Sequence, residues 1–279
     1  MTRYDILSDT YLSSDIKMNS LGRFNPLNWN NGQGWTALSH PSNNSIFLIS
    51  GAEIFLFDNQ NELMLKKPCY PGNESISNQA ICYNEGFIYM LGGYCSKEKR
   101  CRRSCTRYNI VTEKWQQISP MLYEKQDSAA CSINEFQIIV AGGKNSAGEA
   151  QELIEIYDLR ENSWKVFSIG LSSPRSLMAM ISSQKDRAII IGGLNQQGEE
   201  TNTVEEIDFL KVQTSVVTLD KMKQCRARPN AFLVNESIYV LSNHGQSSDH
   251  CLQGEKYLLK ENKWKDFQAK NTILRAPRL

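Results

Sequence analysis

The chain has 279 residues, with 31 Lys+Arg against 30 Asp+Glu for a net charge of +1, and 41% of its residues are hydrophobic. That length is ample for a sizeable core, and the balanced charge gives no global attraction to nucleic acid or to a membrane surface. No stretch approaches the roughly 18 apolar residues of a membrane span. The first 20 residues hold Asp5, Asp9 and Asp15 and lack the apolar centre of a secretory signal. A cytoplasmic protein is expected, so the eight cysteines (Cys69, Cys82, Cys95, Cys101, Cys105, Cys131, Cys225 and Cys251) read as reduced thiols.

Taken in chain order, the elements repeat. Tyr4 and Tyr11, seven residues apart, mark a strand pair over residues 3–12. The apolar run 46–49 then closes on Ser50-Gly51 and is followed by Phe57-Asp58 and Met64. The run 87–91 closes on Gly92-Gly93, with Tyr108-Asn109 and Trp115 after it. The run 138–141 closes on Gly142-Gly143, with Tyr157-Asp158 and Trp164 after it. The run 188–191 closes on Gly192-Gly193, and here Ile207-Asp208 is followed by Thr214 where tryptophan stood before. Leu241-Ser242-Asn243, Tyr257 and Trp264 make a fifth copy. The three glycine pairs lie 50 residues apart, a period that belongs to repeat architectures.

Each copy divides into four short strands, here lettered a to d. In the copy over 128–168 they fall at 129–133, 137–141, 153–158 and 163–167. Turn residues separate a from b (Asn84-Glu85-Gly86, Asn134-Glu135, Asn235-Glu236-Ser237) and c from d (Arg160-Glu161-Asn162, Lys260-Glu261-Asn262). Helical periodicity is almost absent. Small antiparallel sheets stacked around an axis bury both faces of every sheet, and they leave only short edges. Paired glycines let backbones approach closely, and the tryptophans supply apolar surface between sheets.

A strand ending in Gly-Gly, then Tyr-Asp, then Trp seven residues on, resembles the Kelch repeat. The stretches 115–121 and 173–175 are similar to those of the kelch-like (BTB-Kelch) substrate adaptors. The resemblance covers about five-sixths of the chain and implies an all-β fold, a Kelch-type β-propeller of four-stranded antiparallel blades. Blades are expected at 36–67, 80–118, 128–168, 176–217 and 229–268, within a single domain over 1–279. Segments 3–12 and 273–279 would join as an incomplete sixth, closing blade. Five blades is the alternative, and a third is that the chain is a fragment. The repeat marks Gly92, Gly93, Tyr108, Trp115, Gly142, Gly143, Tyr157, Trp164, Gly192, Gly193, Tyr257 and Trp264 are structural on this reading.

Antiparallel connectivity puts the short a–b and c–d turns on one face and the longer b–c and d–a loops on the other. Binding residues concentrate on long loops carried by a rigid scaffold. That face carries Lys97, Lys99, Arg100, Arg102 and Arg103 in one loop, Lys144 and His244 in others, and Lys125, Arg175, Arg226 and Arg228 in the d–a connections. Arginines at a common rim take carboxylates or phosphates bidentately. In kelch-like adaptors, arginines near the start of strand a line the partner-binding mouth. Arg175 matches that position directly, and Arg228 after one deletion. The partner-binding set is therefore Arg102, Arg103, Lys144, Arg175, Arg226, Arg228 and His244.

No catalytic constellation emerges. Cys95, Cys101 and Cys105 lack a usual zinc spacing and a nearby histidine, and Gly142-Gly143-Lys144 lacks the other residues of a phosphate-binding loop. Thiols in that basic loop read as free structural cysteines, with lowered pKa and reactivity as the minor alternative. His244, His250 and Asp249 share one loop and permit a metal-dependent enzyme as the minor alternative. The expectation is a non-enzymatic module with no cofactor and no metal, binding an acidic protein or peptide. The resemblance offers two settings: substrate recognition beside a cullin/BTB protein in a ubiquitin ligase complex, or a cytoskeletal scaffold on actin. Neither nucleic acid nor membrane is an expected partner.

Overall fold

In a computed structural model, the described residues are 2–5, 10–13, 36–39, 46–50, 53–58, 63–68, 70, 76–209, 216–241 and 253–268. They contain strands and turns and no helix, and so no helix long and apolar enough to cross a membrane. Five four-stranded antiparallel sheets follow one another along the chain, over residues 36–67, 80–118, 129–166, 179–218 and 230–268. Each is a simple meander in the order a-b-c-d. The a strands of successive sheets touch one another, so the sheets radiate from their a strands as the blades of a propeller do. The first four residues described, Thr2–Asp5, pair with Thr10–Ser13, with Tyr4 opposite Tyr11. The 273–279 segment of the expected closing blade lies outside the described residues.

The core sits between blades. In strand b of the third blade, Gln137–Ala141, residues 138 to 141 are all fully buried. Ile138 and Val140 pack with Tyr89, Leu91 and Cys105 of the second blade, while Ile139 and Ala141 pack with Ala188 and Ile190 of the fourth. Side chains alternate across a strand, so a strand covered on both faces needs an unbroken apolar run. That is why the periodic runs of the sequence are continuous rather than alternating.

The tryptophans join blades by a second route. Trp164 packs on Tyr157, opposite it on strand c, with ring centroids 5.0 Å apart, and its indole N–H donates to the Ser119 carbonyl of the blade before (2.8 Å). Trp264 does the same with Tyr257 (4.9 Å) and Asp220 (2.7 Å), and Trp115 with Tyr108 (5.1 Å) and Pro68 (2.7 Å). In the fourth blade the register differs from the sequence-based expectation. Ile207 pairs with Val216, not Thr214, because the c–d connection there is two residues longer. Phe167 and Phe209, 5.0 Å apart, supply aromatic surface beside Val216 at that junction.

Candidate functional site: the loop face

The glycine pairs build the frame of this face. Gly92, Gly142 and Gly192 have φ of 67°, 59° and 61°, and Gly93, Gly143 and Gly193 have φ of 101°, 94° and 108°, where side chains are strained. A Cβ on Gly142 would stand 2.4 Å from the Arg175 carbonyl oxygen. The second glycine of each pair donates its N–H to the carbonyl of Lys125, Arg175 or Arg226 (2.8 Å each). Its own carbonyl accepts from Arg102, Gln151 or Thr201 (2.7, 2.8 and 2.9 Å), which pinches off the b–c loop.

The cations held this way do not reach a rim, which corrects the expected placement of Arg175 and Arg226. Both are buried, as is Lys125. Each extends into the next blade and meets a glutamate on its strand c. The separations are Lys125 Nζ–Glu155 Oε2 2.7 Å, Arg175 Nη2–Glu205 Oε2 2.6 Å and Arg226 Nη2–Glu255 Oε1 3.2 Å. The Lys125 and Arg175 contacts are close ion pairs between buried groups. Burial draws the pKa of both cations below their ordinary values, against the opposing pull of Glu155 and Glu205.

The same glutamates clamp the d–a connections. Glu155 accepts from the N–H groups of Leu122 (2.7 Å) and Tyr123 (3.4 Å), and Glu255 from those of Lys223 (2.6 Å) and Gln224 (3.1 Å). Glu205 accepts from the Ser172 hydroxyl. Cation and glutamate together fasten each blade to the next and lie buried within the scaffold. The second blade carries Thr106 where the later blades have glutamate, and its buried hydroxyl has no hydrogen-bond partner among the described residues.

Two residues beyond each buried cation lies a belt around the inner strands. Asn78, Asp127, Leu177 and Arg228 have left-handed φ of 55°, 54°, 56° and 50°. The N–H of Asp127 donates to Asn78, that of Leu177 to Asp127 and that of Arg228 to Leu177 (3.0, 2.8 and 2.7 Å). Backbone strain at non-glycine residues persists where surroundings over-determine it, and this ladder between blades does so. Arg228 thus corresponds to Leu177, and it is Arg226 that corresponds to Arg175. The exposed Arg228 guanidinium lies 3.5 Å from Asp127, and Lys144 lies close enough to act on the same carboxylate. Burial raises the Asp127 pKa against both cations.

Of the remaining expected residues, Arg103 is exposed and Arg102 half-buried, with Arg102 Nη2 2.5 Å from Glu98. His244 lies outside the described residues, as do His250 and Asp249. Among the described residues, no group of three or more His, Cys, Asp and Glu is placed to hold a metal ion.

The thiols of Cys95, Cys101 and Cys105 are buried, against the reactive alternative. Burial raises the pKa of Cys101 and pushes Cys105 up to about 12. It likewise raises Cys82 and Cys131, and lifts the phenols of Tyr108, Tyr157 and Tyr257 to about 12. The folded protein keeps these protons, while the unfolded chain releases them near the ordinary values of 9.0 for a thiol and 10.0 for a phenol. The stability they contribute is intact below about pH 9 and is lost as pH rises toward about 12. Lys125 and Arg175, whose folded pKa values are lowered, act in the opposite direction but are two groups against seven. Urea midpoints should therefore fall steadily across this window, and a flat or rising midpoint would contradict the burial of these groups.

Comparison with known proteins agrees with this architecture. The family model described as the KLHDC2/KLHL20/DRC7 Kelch-repeats domain matches residues 78–278. Kelch-like protein 40 of Xenopus laevis is 27% identical over 153 residues, covering 50% of this chain and 24% of that protein. Kelch-like protein 23 of Homo sapiens is 25% identical over 182 residues, covering 64% and 30%. Alpha-scruin of Limulus polyphemus is 26% identical over 127 residues, covering 43% and 13%. The chain spans less than a third of the length of these relatives. Among solved structures, that of YjhT superposes with a TM-score of 0.65 at 15% identity, covering 75% of this chain and 71% of the other, a likeness of fold alone.

Proposed function

The chain belongs to the Kelch-repeat β-propeller family, and from that footing we propose that it is a cytoplasmic, non-enzymatic module whose b–c and d–a loops bind a protein or peptide. One observation carries this reading. Three successive blades hold their loops with the same backbone bonds yet expose different side chains. The N–H groups of Met121, Leu171 and Met222 donate to Arg103, Glu152 and Asn202 (2.9, 2.8 and 3.0 Å). Those of Lys125, Arg175 and Arg226 donate to Arg102, Gln151 and Thr201 (3.2, 3.0 and 3.0 Å). A fixed frame with divergent exposed residues is the arrangement of a recognition surface.

Within this reading, Arg102, Arg103, Lys144 and Arg228 contact an acidic partner, and the module recruits substrates to a cullin-type ubiquitin ligase. Affinity capture with mass spectrometry tests it, comparing the wild-type chain, an Arg103→Glu/Arg228→Glu variant and an Arg160→Glu/Lys260→Glu variant on the opposite face. The loop-face variant should lose the captured partner and the opposite-face variant should keep it. The reverse pattern would refute the face. Recovery of a cullin or BTB protein supports the ligase role, whereas recovery of actin alone would replace it with a cytoskeletal one.

A further inference from the structure

The repeat supplies its own controls. Between the two pinned ends of each d–a connection lie three residues, of which the first two form its crest: Leu122-Tyr123, Ser172-Ser173 and Lys223-Gln224, followed by Glu124, Pro174 and Cys225. All six are exposed, and the first pair is the only apolar one of the three, with Leu122 48% and Tyr123 51% accessible. Their backbone is fixed on both sides, to Arg102 and Arg103 of their own blade and to Glu155 of the next. Elsewhere the first of these positions carries a bonded polar side chain, Ser172 on Glu205 and Lys223 on Asp266 (2.6 Å). Leu122 and Tyr123 instead belong to no hydrophobic cluster among the described residues.

Charge is distributed the same way. The b–c loop beside this crest, 94–104, carries Lys97, Lys99, Arg100, Arg102 and Arg103 against Glu98 alone. The loop 144–152 carries Lys144 against Glu149 and Glu152, and the loop 194–203 only Glu199 and Glu200. Glu98 is shared by Arg100 (2.7 Å) and Arg102 (2.5 Å). Lys97, Lys99 and Arg103 form no ion pair among the described residues. An apolar crest beside unpaired cations matches an acidic ligand with an apolar anchor.

We propose that the junction of the second and third blades is a docking site for an extended acidic peptide. Leu122 and Tyr123 receive an aromatic or aliphatic side chain, and Arg103, whose carbonyl accepts from the Met121 N–H next to the crest, receives a neighbouring Asp or Glu. This rests on the loop-face reading and places the contact off the propeller axis, away from Arg228 and Asp127. A displayed library of random dodecapeptides, selected on the full chain, tests it. Selected peptides should pair an apolar residue with Asp or Glu. They should lose about tenfold in affinity on Leu122→Ser/Tyr123→Ser and again on Arg103→Ala. The serine pair reproduces the crest of the third blade, so folding should be kept, as an unchanged melting temperature would verify. Peptides that tolerate both changes but lose binding on Arg228→Ala would overturn the off-axis site and leave the loop-face reading standing. A library yielding no binder would overturn both.

Discussion

Replacing Arg175 with alanine is expected to destabilise the protein by about 3–5 kcal/mol, the usual cost of removing one partner from a buried ion pair. The substitution strands the Glu205 carboxylate, which is buried and retains only the Ser172 hydroxyl. It also removes the Arg175 Nη1 donations to Thr203 Oγ1 (2.6 Å) and the Gly192 carbonyl (3.3 Å). Urea unfolding followed by fluorescence measures the change. Replacing both partners with apolar residues, Arg175→Met/Glu205→Leu, should recover most of the loss, because the penalty lies in the uncompensated charge. A cost below about 0.5 kcal/mol, normal for a surface residue, would mean that Arg175 reaches the rim after all.

Trp164→Ala should cost a similar amount, about 3–5 kcal/mol, by a different mechanism. Trp164 is 8% exposed and packs in the cluster between the second and third blades. Its loss opens a cavity against Tyr157 and leaves the Ser119 carbonyl without its indole donor. Trp115 is half-buried, so Trp115→Ala should cost distinctly less although the motif is the same. Equal losses from the two would separate the effect from burial and point to the shared hydrogen bond.

The sequence carried the fold a long way. The 50-residue period marks the blades because each blade is one solution to the same problem, a small sheet that must hide both faces. Continuous apolar runs such as 138–141 declare a strand covered on both sides. Chemistry of the turns was legible too: Asn162 takes a left-handed φ of 49° and accepts from Tyr157 Oη (2.7 Å) and from the Ser119 N–H (3.0 Å). In the fourth blade, counting seven residues from Ile207 missed Val216, because a longer turn shifts the register and no tryptophan marks it.

At the loop face the sequence misjudged the placement of two of the arginines. Arg175 looks like a solvated loop charge because nothing adjacent to it is an acid able to bury it. Its partner is 30 residues downstream on the next blade. A signal was nonetheless present: Glu155, Glu205 and Glu255 recur at 50-residue intervals, in step with Lys125, Arg175 and Arg226. Two periodic sets of opposite charge, both on otherwise apolar scaffolding, identify a structural pair before either identifies a site.

Local pattern therefore determined the strands, the turns and which loops share a face, since these depend on residues close in the chain. Which cations are buried and which remain free was decided only when blades packed. Burial of a charge depends on the counter-charge brought to it, and here the neighbouring blade brings Glu205 to Arg175, while Arg103 has no ion pair among the described residues.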